Sequence, residues 1–253
     1  MKTSKLTSGL TKVPEVALLF WVMKIVATTL GETGGDTLSM SMGLGYLVST
    51  FIFSMIFFIA VFVQIKSKKF TPVYYWLTII ATTTVGTTLA DFVDRSMGIG
   101  YAGGSLFLLF LLLTSFTVWY KTLGTISINT IATPKEEAFY WMTIMFSQTL
   151  GTALGDWFAD SAGFGYMGSA VLFGGLLGLL LIVYFFTKIS RTALFWIAFV
   201  LTRPLGAVLG DLLDKPLDQG GLDLSRWVIS IILLAFIAGC IFSFPQKAAK
   251  RGH

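Results

Sequence analysis

The sequence predicts an all-α integral membrane protein of about eight transmembrane helices, arranged as four parallel two-helix repeats in a pseudo-fourfold bundle. Three observations predict it. The 253 residues are 55% hydrophobic and only 12% charged, against about 25% charged in soluble domains. Apolar runs of about 20 residues, the length that crosses a bilayer, recur down the chain. One pattern, W-x9-G-x4-D, occurs four times. Residues 1–253 therefore read as a single membrane domain.

The repeat is carried by named residues. Trp21, Trp76, Trp141 and Trp196 each follow an aromatic residue. Ten residues on come Gly31, Gly86, Gly151 and Gly206, and five further on Asp36, Asp91, Asp156 and Asp211. Three copies continue to G-x-G-Y, at Gly43, Gly98 and Gly163. The fourth departs, reading LLDKPLDQGGLDLSRW. The tryptophans lie 55, 65 and 55 residues apart, so one unit became a pair and the pair became a tandem.

Each unit holds two apolar runs. Helices are expected at 14–40 and 44–65, at 73–96 and 99–120, at 137–161 and 164–187, and at 192–214 and 225–244, within repeats 14–66, 72–121, 136–188 and 191–245. The start, MKTSKLTSGLTKVPEVALLFW, has a basic region, but its apolar run is long and shows no clear cleavage site. It reads as an uncleaved first helix. Two helices per unit return the chain to one side, so the repeats are parallel, not the inverted pair common in secondary transporters.

The pattern resembles a bacterial membrane-protein family of unknown function, defined by four tandem repeats, each with two transmembrane helices and a characteristic tryptophan. The resemblance covers nearly the whole chain and rests on the four Trp/Gly/Asp sets. It implies an architecture and leaves function to the residues.

The net charge is +5. The basic residues flank apolar runs, so they read as topology signals and no nucleic-acid partner is expected. Most lysines and arginines lie in the tails and the links between units, among them Lys2, Lys5, Lys12, Lys66, Lys121, Lys188 and Arg251. The turns within units hold Arg95, Lys215 and Arg226. The positive-inside rule then predicts a multi-pass protein of the bacterial cytoplasmic (inner) membrane with both termini cytoplasmic. Cys240 is the one cysteine, and the one histidine is the last residue, His253. Disulfide frameworks, haem, zinc-enzyme and Ser-His chemistry are excluded, and no enzyme activity or cofactor is expected.

The fifteen-residue step from Trp to Asp spans about 22 Å of helix. With Trp at one interface, each Asp lies inside a core about 30 Å thick. A charge there is costly unless it is paired or faces water. The small-xxx-small pairs Gly31/Gly35, Gly86/Ala90, Gly151/Gly155 and Gly206/Gly210 let helices approach closely, which would bring the four aspartates together. Glu32 adds a carboxylate in the first unit. Thr29, Thr84 and Thr149, seven residues before an Asp, either line a path with hydroxyls or bond back to their own helices. Asp94, Asp160 and Asp214 are further acids just beyond the ring aspartates. Lys24 and Arg203 are the two cations deep in helices, and Pro204 is expected to kink the seventh helix.

Five core acids (Glu32 and the four Asp) against two bases leave salt bridging insufficient, so protonation or a bound cation is expected. Hard oxygens suit Mg²⁺, Mn²⁺ or Ca²⁺, with Asp36, Asp91, Asp156, Asp211 and Glu32 as ligands. Met40, Met42, Met97 and Met167 near the outer turns offer softer donors. The expected function is transport of a divalent metal cation, Mn²⁺-like, by efflux and in exchange for protons. The expected partners are the lipid bilayer and the metal cation or proton, with a homo-oligomer left open. The alternatives are a structural or sensory membrane protein and an intramembrane aspartyl hydrolase. Intramembrane aspartyl proteases carry G-x-G-D and Y-D; here the residues three before each Asp are Thr33, Thr88, Ala153 and Val208, and no Y-D occurs. No G-x-x-x-x-G-K-[ST] is present for a nucleotide-driven pump.

Overall fold

A computed structural model describes residues 11–250. The topology residues Lys2, Lys5 and Arg251 and the terminal His253 lie outside the described residues. Eight α-helices follow one another: α1 (Leu18–Asp36), α2 (Gly45–Lys66), α3 (Pro72–Asp91), α4 (Gly100–Leu123), α5 (Pro134–Asp156), α6 (Gly165–Phe186), α7 (Arg191–Asp214) and α8 (Arg226–Ser243). Among the described residues only an isolated bridge, Pro14 with Ala248, has strand-like pairing. That pairing explains why the first helix begins at Leu18 rather than 14. Pro204 lies inside α7, which runs through it unbroken.

The fold is a ring within a ring. The odd helices form the inner one: α1 packs on α3 and α7, and α5 packs on the same two. Their faces are mostly buried. The even helices lie outside, and each packs on the odd helix of the next unit: α2 on α3, α4 on α5, α6 on α7, and α8 back on α1. Their outward faces expose large apolar side chains such as Phe51, Phe62, Phe110, Leu181 and Ile231. Six helices are long and apolar enough to cross a membrane. The exceptions are α1, which carries Lys24, Glu32 and Asp36, and α5, rich in polar side chains. Both are enclosed by their neighbours, so lipid does not select against those residues.

The repeat residues explain the ring. The aromatic residue before each Trp meets the Trp of the next unit: Phe20 with Trp76 at 5.7 Å, Tyr75 with Trp141 at 5.5 Å, Tyr140 with Trp196 at 6.0 Å, and Phe195 with Trp21 at 5.7 Å between ring centroids. This aromatic collar closes the end of the ring that carries the chain termini. Further along, each motif glycine seats the next odd helix. Gly31 faces Thr83, Gly86 faces Gln148, Gly151 faces Arg203 and Gly206 faces Thr28. A Cβ on Gly206 would lie 2.0 Å from the Thr28 hydroxyl and 3.0 Å from its carbonyl carbon.

Beyond each of the first three aspartates the helix widens into one π-helical turn: Thr37–Ser41, Phe92–Ser96 and Trp157–Ser161. The G-x-G that follows turns the chain, with both glycines at positive φ (69° and 74° at Gly43 and Gly45). The fourth unit has neither device. Its α7 stays α-helical to Asp214, and the following loop folds back on it through Leu222 N–H to the Leu212 carbonyl and Asp223 N–H to the Lys215 carbonyl.

The close approach at Gly206 makes a prediction. Gly206→Val should lower stability by about 1–3 kcal/mol, the usual cost of overpacking. Gly174→Ala, where an added Cβ meets nothing within 4 Å, should leave it unchanged. Thermal unfolding in detergent, followed by tryptophan fluorescence, measures both.

Candidate functional site: a buried aspartate ring with resident cations

The odd helices point one residue in every four at the axis. Counting from the collar, the layers are Lys24, Ile79, Ile144 and Phe199; then Thr28, Thr83, Gln148 and Arg203; then Glu32, Thr87, Thr152 and Ala207; then the aspartates Asp36, Asp91, Asp156 and Asp211. All sixteen are buried. The axis is a packed core through these layers, and polarity rises toward the aspartate end.

Arg203 crosses the axis. Its Nη1 donates to the Thr28 carbonyl at 3.2 Å, and its Nη2 lies 3.0 Å from a Glu32 carboxylate oxygen and 2.5 Å from the hydroxyls of Thr87 and Thr152. One side chain from α7 thus touches α1, α3 and α5. Gly151 leaves it room, because a Cβ there would come within 2.3 Å of the Arg203 Cγ.

The aspartates are clamped by two cations. Arg95 sits 3.0 Å from Asp91 and 3.2 Å from Asp156. Lys215 sits 2.7 Å from Asp36 and 3.0 Å from Asp211. Each cation lies four residues after its own unit's aspartate and reaches the next unit's as well. Lys215 follows the end of α7; burial opposes its charge, but Asp211, Asp36 and Asp214 outweigh burial and raise its pKa above the ordinary lysine value. Oxygens of Asp36, Asp91 and Asp156 remain without a hydrogen-bond partner. Glu32, Asp36 and Asp211 each offer an oxygen, all within 4.8 Å of one another, so among the described residues these three form a group that could hold a metal ion. Outside the ring lies a polar, partly open cavity of about 510 Å³, lined by Met40, Arg95, Asp160, Tyr166, Lys215 and Arg226 among others.

The geometry corrects several sequence expectations. The count of five acids against two bases fails, because Arg95 and Lys215 fold inward from turns read as topology signals. Every one of the five carboxylates has a cationic partner. Lys24 is not a counter-charge to the ring. Its ammonium lies 3.4 Å from the Gln148 side-chain oxygen and 4.2 Å from the centre of the Phe199 ring. The hydroxyls of Thr29, Thr84 and Thr149 do not line the axis; each donates to the carbonyl four residues back, at Ile25, Ile80 and Met145. Asp214 is paired with Arg226 at 2.5 Å. Asp160 lies exposed at the rim, accepting from Tyr101 at 2.9 Å. Asp94 is buried outside the ring, in the space that Gly104 leaves for its carboxylate, with neither oxygen hydrogen-bonded. The rim residues Met40, Arg95, Asp160 and Lys215 are the next step of four, just beyond the end of each odd helix, a series the sequence contains.

The shared ammonium makes a prediction. Lys215→Met leaves Asp36 and Asp211 facing each other and should cost about 3–5 kcal/mol, as breaking a buried ion pair does. Adding Asp36→Asn should recover part of the loss. A strictly additive loss in denaturant unfolding would refute the pairing.

Comparison with known proteins agrees with the repeat structure. No curated protein and no solved structure matches the chain. A family model described as "Repeat of Unknown Function (DUF347)" matches it four times, over residues 19–70, 74–125, 139–190 and 194–244. The chain therefore belongs to this four-repeat family of unknown function.

Proposed function

We propose that the protein transports a divalent metal cation, with Glu32, Asp36 and Asp211 as the binding triad. The charge of the aspartate ring carries this reading. Four aspartates face two bridging cations, Arg95 and Lys215; Arg226 also lies 3.9 Å from Asp36 but is matched by Asp214 at 2.5 Å, and Glu32 is matched by Arg203. The ring therefore keeps a formal deficit of two charges, the charge of one divalent ion. The donors are hard oxygens, which suit Mn²⁺ or Mg²⁺ better than a soft metal.

In this reading Lys215 stands where the cargo binds. The arriving ion displaces the ammonium from Asp36 and Asp211. The ammonium turns toward Asp214, whose charge already acts on it. When the ion leaves, Lys215 returns and closes the site. The positive-inside rule puts the termini in the cytoplasm of a bacterial inner membrane and the polar cavity outside. Release into that cavity is export, and proton entry is the natural counterflow. The activity is transport without a catalytic step.

One observation favours a second reading. The axis is packed and every ring carboxylate is paired, as in a non-transporting scaffold or sensor. Metal binding separates the two. Wild type expressed in cells should lower the content of one ion among Mn²⁺, Mg²⁺, Co²⁺, Ni²⁺ and Zn²⁺, and the Asp36/Asp91/Asp156/Asp211→Asn variant should not, at equal membrane level. Purified Lys215→Met should bind that ion at least about tenfold tighter, a gain of ~1.4 kcal/mol, because no ammonium competes. A scaffold would bind no metal in any form.

A further inference from the structure

At the end of the ring opposite the aspartates, the two chain ends are joined across the collar. Residues 11–15 run antiparallel to 247–249. The N–H of Ala249 donates to the Val13 carbonyl at 2.9 Å, that of Glu15 to the Lys247 carbonyl at 2.9 Å, and that of Thr11 to the Ala249 carbonyl at 3.1 Å. Thr11, Lys12 and Val13 are buried, and Val13 packs in the cluster that contains Phe20, Tyr75, Trp76 and Trp141. Gln246 accepts from the Trp76 indole at 2.7 Å.

Lys12 pins this pair to the rest of the bundle. Its N–H donates to the Ile131 carbonyl in the link between the second and third units. Its ammonium donates to the Ile65 carbonyl at the end of α2 and lies 2.5 Å from the Glu137 carboxylate at the start of α5. Gln64 also donates to Glu137, at 3.4 Å. An ion pair this buried is weak evidence for stability, and its best-attested use is to fix a register or a switch.

We propose that these paired chain ends are the gate at the termini end of the axis, with the Lys12–Glu137 pair as its latch. The inference rests on the transport reading. The gate differs from its surroundings in being extended chain. It opens when its two strands part, which breaks the three backbone hydrogen bonds between them, releases Lys12 from Glu137 and draws Val13 out of its apolar cluster, without unwinding any helix. Beneath it lie Phe20, Tyr75, Tyr140 and Phe195, with the Tyr75 and Tyr140 hydroxyls 2.7 Å apart. That ring is the first layer an ion must pass from this side.

A reversible lock tests the gate. Pro14 and Ala248 form the bridge between the two ends. Such a non-hydrogen-bonded antiparallel pair has Cα atoms about 4.5 Å apart, within disulfide reach. Pro14→Cys/Ala248→Cys, in a Cys240→Ser background, is placed in proteoliposomes and Mn²⁺ flux is measured oxidised and reduced. The oxidised form should carry at least about tenfold less flux than the same protein reduced. Equal flux with complete cross-linking overturns the gate. If wild type itself carries no divalent ion, the transport reading fails, and a second measurement judges the latch alone. A cysteine at Phe20→Cys in the Cys240→Ser background should react slowly with maleimide in detergent. Adding Lys12→Ala should speed that reaction at least about tenfold, since it breaks the buried pair. Unchanged labelling shows a static contact.

Discussion

The Arg203 guanidinium on the axis is the interaction on which the rest of the structure depends. A cation at this depth cannot reach the membrane surface, so its partners must come to it. Glu32 supplies the charge, and Thr28, Thr87 and Thr152 supply the oxygens. The site also requires what is missing: a side chain at Gly151 would occupy the volume of the arginine stem. Arg203 therefore dictates a carboxylate on α1 and small or hydroxylated residues on α3 and α5. It also divides the axis. On one side lie the aspartates and the open cavity; on the other lie Lys24, the apolar layer and the aromatic collar.

The handover of each even helix to the next unit has a second structural consequence. No unit encloses its own odd helix; α1 is completed only when α8 arrives, with residues 37–225 in between. The closed ring brings the first and last residues of the bundle to one place. The pairing of 11–15 with 247–249 follows from topology as much as from the side chains there. A fold that closes on its ends concentrates long-range contacts at the seam, where loop-closure entropy has been paid by everything before it.

Much of this was legible in the sequence, because its causes are local and repeated. The Trp, Gly and Asp spacings predicted the four units, the parallel orientation and the convergence of the odd helices. The aromatic before each Trp was visible as a pattern, but its role was not, since it meets a ring in the following unit. The charge balance was misread for a similar reason. Arg95 and Lys215 stand in segments that sequence assigns to turns, and cations at membrane edges are usually topology signals. At Arg95 a π-helical turn carries the helix one turn past its aspartate; at Lys215 the loop folds back. Both place the fourth residue after the aspartate over the ring. Of the two roles open to Thr29, Thr84 and Thr149 the structure takes back-bonding, and sequence could not choose because a helical hydroxyl always has a carbonyl within reach.

The duplication history explains why the symmetry is broken where it is. Four identical units would place four carboxylates at one level with nothing between them, and like charges at such depth are costly. The rim position gives the remedy. Its occupants are Met40, Arg95, Asp160 and Lys215, so cations come from the second and fourth units only. Each bridges its own aspartate to that of the following unit, which makes the charge pattern twofold although the helices are arranged fourfold. A tandem of pairs, the history that the 55, 65 and 55 residue spacings record, produces this pattern if the cation arose before the second duplication. The fourth unit departs further: it lacks the G-x-G-Y turn and carries Arg203 and the loop that buries Lys215. One of the two bridges is therefore an arginine on a π-helical turn and the other a lysine on a folded-back loop. The lysine is a point charge on a flexible stem, whereas the guanidinium is a fixed fork. Of the two clamps, Lys215 is the one on a flexible stem, and it lies beside the cluster of Glu32, Asp36 and Asp211.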